Sequence, residues 1–310
     1  MARPARQKTL DQILDGFLRE QRTEGTRRAY AHAVQDFFAA AKVATLEDLA
    51  SLDREAAVEY RNRLAERRRR AKTFVNRQLS ALRGFFRWAQ ALGAVAASPF
   101  DLVRGYKVSA ESRTEGLEEE EIASMVSAAA EEETLAGLRD RALLLTLYYQ
   151  GLRRSEAAGL RHHDVRRQAG ILVLRNTKTT DRDEVSLRPE VARAIDDYTR
   201  ALDERLGRLA PRRTDPVFVS FARSGFARPL SPTAILDIVK KRARDAGIRR
   251  NIVCHSLRHA MVTHALDHHA SLEEAGAHAR HLDPRTTARY DRRRRRRGAA
   301  AVQALPRLAL

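Results

Sequence analysis

His255–His264 reads HSLRHAMVTH, and His281–Arg297 reads HLDPRTTARYDRRRRRR. The first stretch has helical spacing, so His255, Arg258 and His259 fall within about one turn, and His255 and Arg258 share a face. Two histidines four apart suit a metal ion. No glutamate fills the H-E-x-x-H position, however, and no third ligand stands nearby, so the pair does not read as a zinc site. The second stretch sets a single tyrosine, Tyr290, beside a block of six arginines, Arg292 to Arg297.

Two earlier stretches complete the pattern. GLRRSEAAGL, Gly151–Leu160, follows the apolar run LRDRALLLTLYYQGL, which reads as a buried core helix. GILVLRNTKTTDRDEVSL, Gly170–Leu187, holds two β-rich runs around a polar turn that carries Lys178, and reads as a hairpin. Each piece has an ordinary explanation when taken singly. Arg153 can pair with Glu156, Lys178 can be solvated, and Tyr290 can be a helix-face aromatic.

Together the pieces suit one phosphodiester. Arginine stays charged and presents a planar fork of donors that matches phosphate oxygens. A pentacoordinate phosphorus carries more charge on its non-bridging oxygens than the ground state does, so fixed guanidiniums favour it selectively. A tyrosine hydroxyl, with an ordinary pKa of about 10, needs positioning and help with its proton before it can attack. A lysine on a turn can deliver a proton to a leaving 5′ oxygen. No G-x-x-x-x-G-K-[ST] loop and no acidic cluster suited to Mg²⁺ accompany these residues, so no cofactor and no metal are expected.

The bulk composition agrees with a polyanionic partner. The chain of 310 residues carries 58 Lys and Arg against 40 Asp and Glu, a formal net charge of +18, which points to nucleic acid. GC-rich coding would also raise the arginine content. Hydrophobic residues make up 43%, enough for a folded core, and the one cysteine, Cys254, excludes an intramolecular disulfide and suits a reducing cytosol. The N-terminal MARPARQKTL has no apolar run behind it and does not read as a signal peptide, and no stretch is long and apolar enough to span a membrane. A cytoplasmic, nucleoid-associated protein is expected.

Residues up to about Gly93 read as four helices starting near Leu10, with Thr26 as the N-cap of TRRAYAHAVQDFFAAA. Arg27, Arg28, Lys72, Arg77 and Arg83 on this segment, like Arg67 to Arg70, are candidate phosphate contacts. Residues 104–116 are polar and aperiodic and read as a linker. Beyond them the pattern is mostly α with a small β-sheet, and the apolar VFVSF at 217–221 is left open between strand and loop.

GLRRSE, HSLRH and HLDPRTTARY resemble, in order and spacing as well as letters, the boxes of the tyrosine recombinase (phage integrase) family, Xer-like recombinases included. TRRAYAHAVQDFF is similar to part of that family's core-binding domain, so the likeness spans residues 10–295. The resemblance implies an N-terminal four-helix core-binding (SAM-like) domain at 1–103, a linker at 104–116, an α+β catalytic domain at 117–297 and a tail at 298–310. That tail would pack on a neighbouring subunit or fold back on its own. Arg153 and Arg258 would clamp the phosphate, Lys178 would act as general acid, and His255 would orient the phosphate and assist proton transfer. His281 would support the scissile phosphate, and Tyr290 would be the nucleophile of a 3′-phosphotyrosyl intermediate. Glu156 and His259 would be supporting residues.

The implied partners are double-stranded DNA and further copies of the chain, a dimer per site and a tetramer in synapsis, with a partner recombinase or accessory protein left open. A type IB topoisomerase and a catalytically inactive DNA-binding protein are the alternatives. One departure stands out: the family has glycine before the histidine that precedes the tyrosine, and this chain has Arg280, so His278 competes with His281 for that role. Arg292 and Arg293 begin a run that is either solvated or in contact with phosphates near the cleaved strand.

Overall fold

Threonines start the N-terminal helices of the computed structural model, which describes residues 9–66, 72–107, 116–175, 182–222, 226–281, 283–288 and 290. Thr9 and Gln12 cap each other at the head of α1 (Leu10–Arg19). Thr23 accepts the Thr26 N–H at 3.1 Å to begin α2 (Glu24–Ala41). Thr26, the cap expected from the sequence, therefore lies inside α2, where its N–H is the group being satisfied. A five-residue helix, α3 (Leu46–Ala50), precedes α4 (Arg54–Glu66) and α5 (Lys72–Ala91). Four longer helices and this short one build the first of two compact units, divided between Ser109 and Ala110.

Aromatic rings fill the first unit. Phe37 meets Tyr60, Phe86 and Phe100 edge-on at 5.0, 5.8 and 5.0 Å, the arrangement ring quadrupoles favour. Residues 104–107, which polarity alone marks as linker, are tied down. The Asn76 side chain pairs with the Tyr106 backbone through two 2.8 Å bonds, and Arg61 donates to the Arg104 carbonyl.

The second unit contains α6 (Glu119–Ala130), α7 (Leu135–Tyr149) and α8 (Arg154–Gly159), then a 3₁₀ turn at His162–Asp164. A three-stranded antiparallel sheet follows in the order β1 (Val165–Arg166), β2 (Ile171–Arg175), β3 (Arg182–Ser186). The expected hairpin is β2–β3, in register from Ile171↔Ser186 to Arg175↔Arg182. β1 is too short to show an alternating pattern in the sequence. Helices α9 (Pro189–Leu206), α10 (Pro232–Asp245), α11 (Cys254–Asp267), α12 (Leu272–Ala279) and α13 (Pro284–Ala288) complete the unit. Val217–Val219 of VFVSF are buried, but the stretch forms only an isolated bridge, Val219 to Pro229. No helix among the described residues is long and apolar enough to cross a membrane.

Helix α7 is the hub, with Ala142, Leu143, Leu144 and Leu147 all fully buried. It also carries a buried charge cluster. Asp140, 2% exposed, accepts from Arg139 at 2.7 and 2.9 Å and from Arg242 of α10 at 2.8 Å. Arg242, itself 2% exposed, also pairs with Glu132 and Asp245. Asp140→Ala would leave the buried Arg139 without its carboxylate and Arg242 with only Glu132 and Asp245, a loss of up to about 3–5 kcal/mol, the range for breaking a buried pair. Urea unfolding is expected to show that loss and to show partial recovery when Arg242→Met is added. A cost under about 1 kcal/mol would contradict the reading of the cluster as a buried tie.

Candidate active site

Glycine 151 decides how the chain leaves α7. It sits at φ +55°, and a Cβ there would lie 2.2 Å from the Met261 methyl, so any other residue would be strained and would displace Met261. The turn places Arg153 at the N-cap of α8, where Glu156 closes a box: Oε2 accepts the Arg153 backbone N–H at 2.8 Å, and Oε1 accepts from its guanidinium at 2.6 Å. The tether expected between Glu156 and Arg153 is thus a direct double contact. Glu156 is buried, while the Arg153 side chain keeps 29% of its surface exposed.

Helix α11 brings His255 and Arg258 to the same place. Arg258 is 2% exposed and donates to the carbonyls of Gly151, at 2.5 Å, and Ala279. Both carbonyls lie at helix ends, just past α7 and at the last residue of α12, where unpaired carbonyls carry partial negative charge. Burial, then the Arg280 and Arg153 charges, push the Arg258 guanidinium down to about 10, opposed by Glu156 and the Tyr290 phenol. His255 and Arg258 line an open cavity of about 310 Å³ together with Arg153 and Arg154. Burial, Arg258 and Arg153 hold His255 below its ordinary pKa, so it stays neutral near pH 7.

The C-terminal segment closes the site. His281 Nδ1 and Thr287 Oγ1 are hydrogen-bonded at 2.9 Å, and the imidazole stacks on Tyr290 at 5.7 Å. Burial first, then Arg258, Arg153, His255 and Arg280, push His281 down to about 4. His278 turns away, its Nε2 donating to the Tyr149 carbonyl at 2.7 Å. Of the two candidates, His281 is the one beside the arginines and the tyrosine. Tyr290 is 6% exposed, set among Met261, Val262 and Ala279, with its ring edge-on to His259 at 4.5 Å. In this state the tyrosine is stored rather than presented to solvent.

Arg153, Glu156, His255, Arg258, His259, His281 and Tyr290 therefore come together in the second unit from three separated stretches. Lys178, Arg292 and Arg293 lie outside the described residues. In the first unit Arg27, Arg28, Lys72 and Arg77 are all exposed; Arg27 donates to the Gln21 carbonyl at 2.9 Å and Arg28 to Glu24 Oε1 at 3.0 Å. Arg83 is occupied by the carbonyls of Phe100 and Val103, so its guanidinium fastens the segment after α5. Among the described residues no group of three or more His, Cys, Asp or Glu is placed to hold a metal ion. Sequence reasoning gave no role to Thr287, whose hydroxyl fixes the His281 ring, or to the side chain of Arg280. A threonine six residues after a histidine is too common a pattern to signal a hydrogen bond.

Two family models match the chain: the phage integrase family over residues 115–297, and the phage integrase N-terminal SAM-like domain over 14–93. The tyrosine recombinase XerD of Pseudomonas aeruginosa is 30% identical over 285 residues, which cover 91% of each chain. Two solved structures share the fold. One is the XerH site-specific recombinase bound to a palindromic difH substrate in a post-cleavage complex (TM-score 0.69, 18% identity, 90% of this chain and 80% of that one). The other is a lambda integrase tetramer bound to a Holliday junction (TM-score 0.68, 18% identity, 91% of this chain and 77% of that one). The chain belongs to the phage integrase family, the tyrosine recombinases, enzymes that cleave and rejoin DNA through a tyrosine intermediate.

The depressed His281 has a consequence for stability. The unfolded side chain binds its proton near pH 6.5 and the folded one near 4, so between these values protons favour the unfolded chain. The stability that comes from keeping His281 neutral is full above pH 6.5 and is lost as the pH falls towards 4. The thermal midpoint of the DNA-free protein is expected to drop across that window, and to drop less in His281→Asn. Identical slopes in the two proteins would contradict the assignment.

Proposed function

We propose that the chain is a site-specific DNA recombinase of the Xer-like kind that acts through Tyr290. The observation that carries this reading is the convergence of Arg153, Arg258, His255 and His281 on the buried Tyr290. The scissile phosphate would sit in the cavity beside Arg153 and Arg258, each guanidinium donating to non-bridging oxygens. The Tyr290 phenolate oxygen attacks phosphorus, a 3′-phosphotyrosyl bond forms, and the bond to the 5′ oxygen breaks. Lys178 supplies the proton that leaves with the 5′-hydroxyl, and neutral His255 and His281 donate to phosphate oxygens or accept the phenol proton. A partner strand's 5′-hydroxyl then attacks the phosphotyrosine and releases Tyr290. The phosphodiester bond energy is kept in the protein–DNA link, so neither a nucleotide nor a metal enters the step.

Residues 1–103 and the catalytic region 117–297 would both contact the duplex, with Arg28, Lys72, Arg77, Arg292 and Arg293 on phosphates. Among related structures are a lambda integrase dimer bound to a core site and a lambda integrase tetramer bound to a Holliday junction. The same assembly, a dimer per site and a tetramer in synapsis, is proposed for this chain, acting on the nucleoid.

The test uses a nicked duplex built on the sequence that the chain selects from a random DNA pool. Wild type is expected to leave a covalent adduct after denaturation and Tyr290→Phe none. Two plasmids bearing the site are expected to recombine, whereas relaxation without exchange would favour a topoisomerase. Arg153→Ala is expected to slow cleavage by about 10²–10³-fold while gel-shift affinity falls only a few-fold, because many other cations hold the backbone. Equal loss of both would defeat the clamp assignment.

A further inference from the structure

Arg280 occupies a position that its backbone does not favour. It caps α12 at φ +55° and ψ +48°, the left-handed region where glycine is at home. Its side chain is 6% exposed, so the guanidinium has also left water. Nη2 donates to Glu156 Oε2 at 2.8 Å and reaches the Gly151 carbonyl at 3.4 Å. Nη1 reaches the carbonyls of Gln150 and His278 at 3.4 Å, and Nε lies 4.0 Å from Asp183 of β3. Neutralising Glu156 does not explain this arrangement, because Arg153 already supplies that carboxylate with a guanidinium and a backbone N–H.

We infer that Arg280 is a positioning residue of the cleavage site, a brace that fastens the segment bearing His281 and Tyr290 to the Glu156–Arg153 corner and draws charge from Glu156. The inference rests on the reading of Arg153 and Arg258 as the phosphate clamp. Two effects follow from the contacts. His281 is the next residue along the chain, so the Arg280–Glu156 bond fixes where His281 leaves α12 relative to Arg153. Glu156 Oε2 is shared between Arg280 and the Arg153 backbone, so the carboxylate holds the Arg153 guanidinium through Oε1 alone. The other donors of Arg153, on its exposed part, stay available to a phosphate. Arg153, Arg258 and Arg280 also form a three-guanidinium cluster around one buried carboxylate, with Asp183 at its edge. This excess positive charge suits the more highly charged pentacoordinate phosphorus.

Arg280→Gly is an informative variant because glycine suits the left-handed backbone there, which offsets part of the cost of losing the buried pair with Glu156. On the nicked duplex, the full-length variant is expected to form adduct on the order of tenfold to a hundredfold more slowly than wild type. DNA affinity should stay within about twofold, and the variant should remain folded at the assay temperature, since glycine relieves the left-handed backbone and Glu156 keeps Arg153 when the buried pair with Arg280 is lost. Arg280→Lys restores a charge opposite Glu156 and is expected to recover part of the rate. The charged and titratable groups facing His281 are Arg153 and Glu156 of α8, His255 and Arg258 of α11, Tyr290, and Arg280 itself, so losing Arg280 should move the acid limb of the rate profile to higher pH. The inference is overturned if Arg280→Gly cleaves at the wild-type rate. It is equally overturned if the rate falls only in step with the thermal midpoint, or if Arg280→Lys is as slow as Arg280→Gly and neither shifts the pH profile. Absence of adduct from wild type itself would instead sink the recombinase reading, and this inference with it.

Discussion

Three guanidiniums held around one carboxylate is the constraint on which the catalytic unit is built. Arg153, Arg258 and Arg280 repel one another, and in a partly dehydrated site the repulsion is weakly screened. Glu156 offsets part of it. The rest falls to the carbonyls at two helix ends: Gln150 and Gly151 just beyond α7, and His278 and Ala279 at the end of α12. Aimed C-terminal dipoles stabilise cations without adding a second buried carboxylate that would compete with a phosphate for the arginines. This explains why α7 must stop where it does, and why its stop is a glycine pressed against Met261.

The same crowding governs the histidines. Each sits near fixed positive charge and is partly buried, so both are held neutral, His281 down to about 4. A neutral imidazole can accept the phenol proton or donate to an oxygen, which an imidazolium cannot do in both directions. A phosphate bound there, as proposed, would change the balance, since its negative charge would relieve the arginines and raise the histidine pKa values together. Tyr290 is packed against His259 and His281, so the proposed attack on a phosphorus atom beside Arg153 and Arg258 would require it to leave this seat.

Much of this was legible in the sequence. HSLRH has the spacing to put His255 and Arg258 on one helical face, and the apolar run before GLRRSE announced a buried helix. The β2–β3 hairpin followed from its two apolar runs. Other features were not legible because they depend on tertiary contacts. Thr23 and Thr26 are equally good caps by composition, and only the packing of α2 selects the first. The polar stretch 104–107 looked like linker until Asn76 was found to bind it. Arg83 resembled a surface cation, yet its guanidinium holds backbone carbonyls. Arg280 was visible as a departure from glycine, but nothing in one dimension tells where a guanidinium entering from a left-handed residue will end. His281 and His278 were separable only by direction, since one faces Arg258 and the other faces the end of α7.

The most direct measurement is to identify the residue that becomes joined to DNA. Covalent adduct formed by the full-length chain on the nicked duplex would be digested with protease and nuclease, and the nucleotide-bearing peptide sequenced by mass spectrometry. A single peptide containing Tyr290 with a 3′-phosphate linkage, together with a free 5′-hydroxyl on the released strand, is the expected result. Attachment through any other residue, or through a 5′-phosphate, would contradict the assignment of Tyr290 and of the clamp built around it.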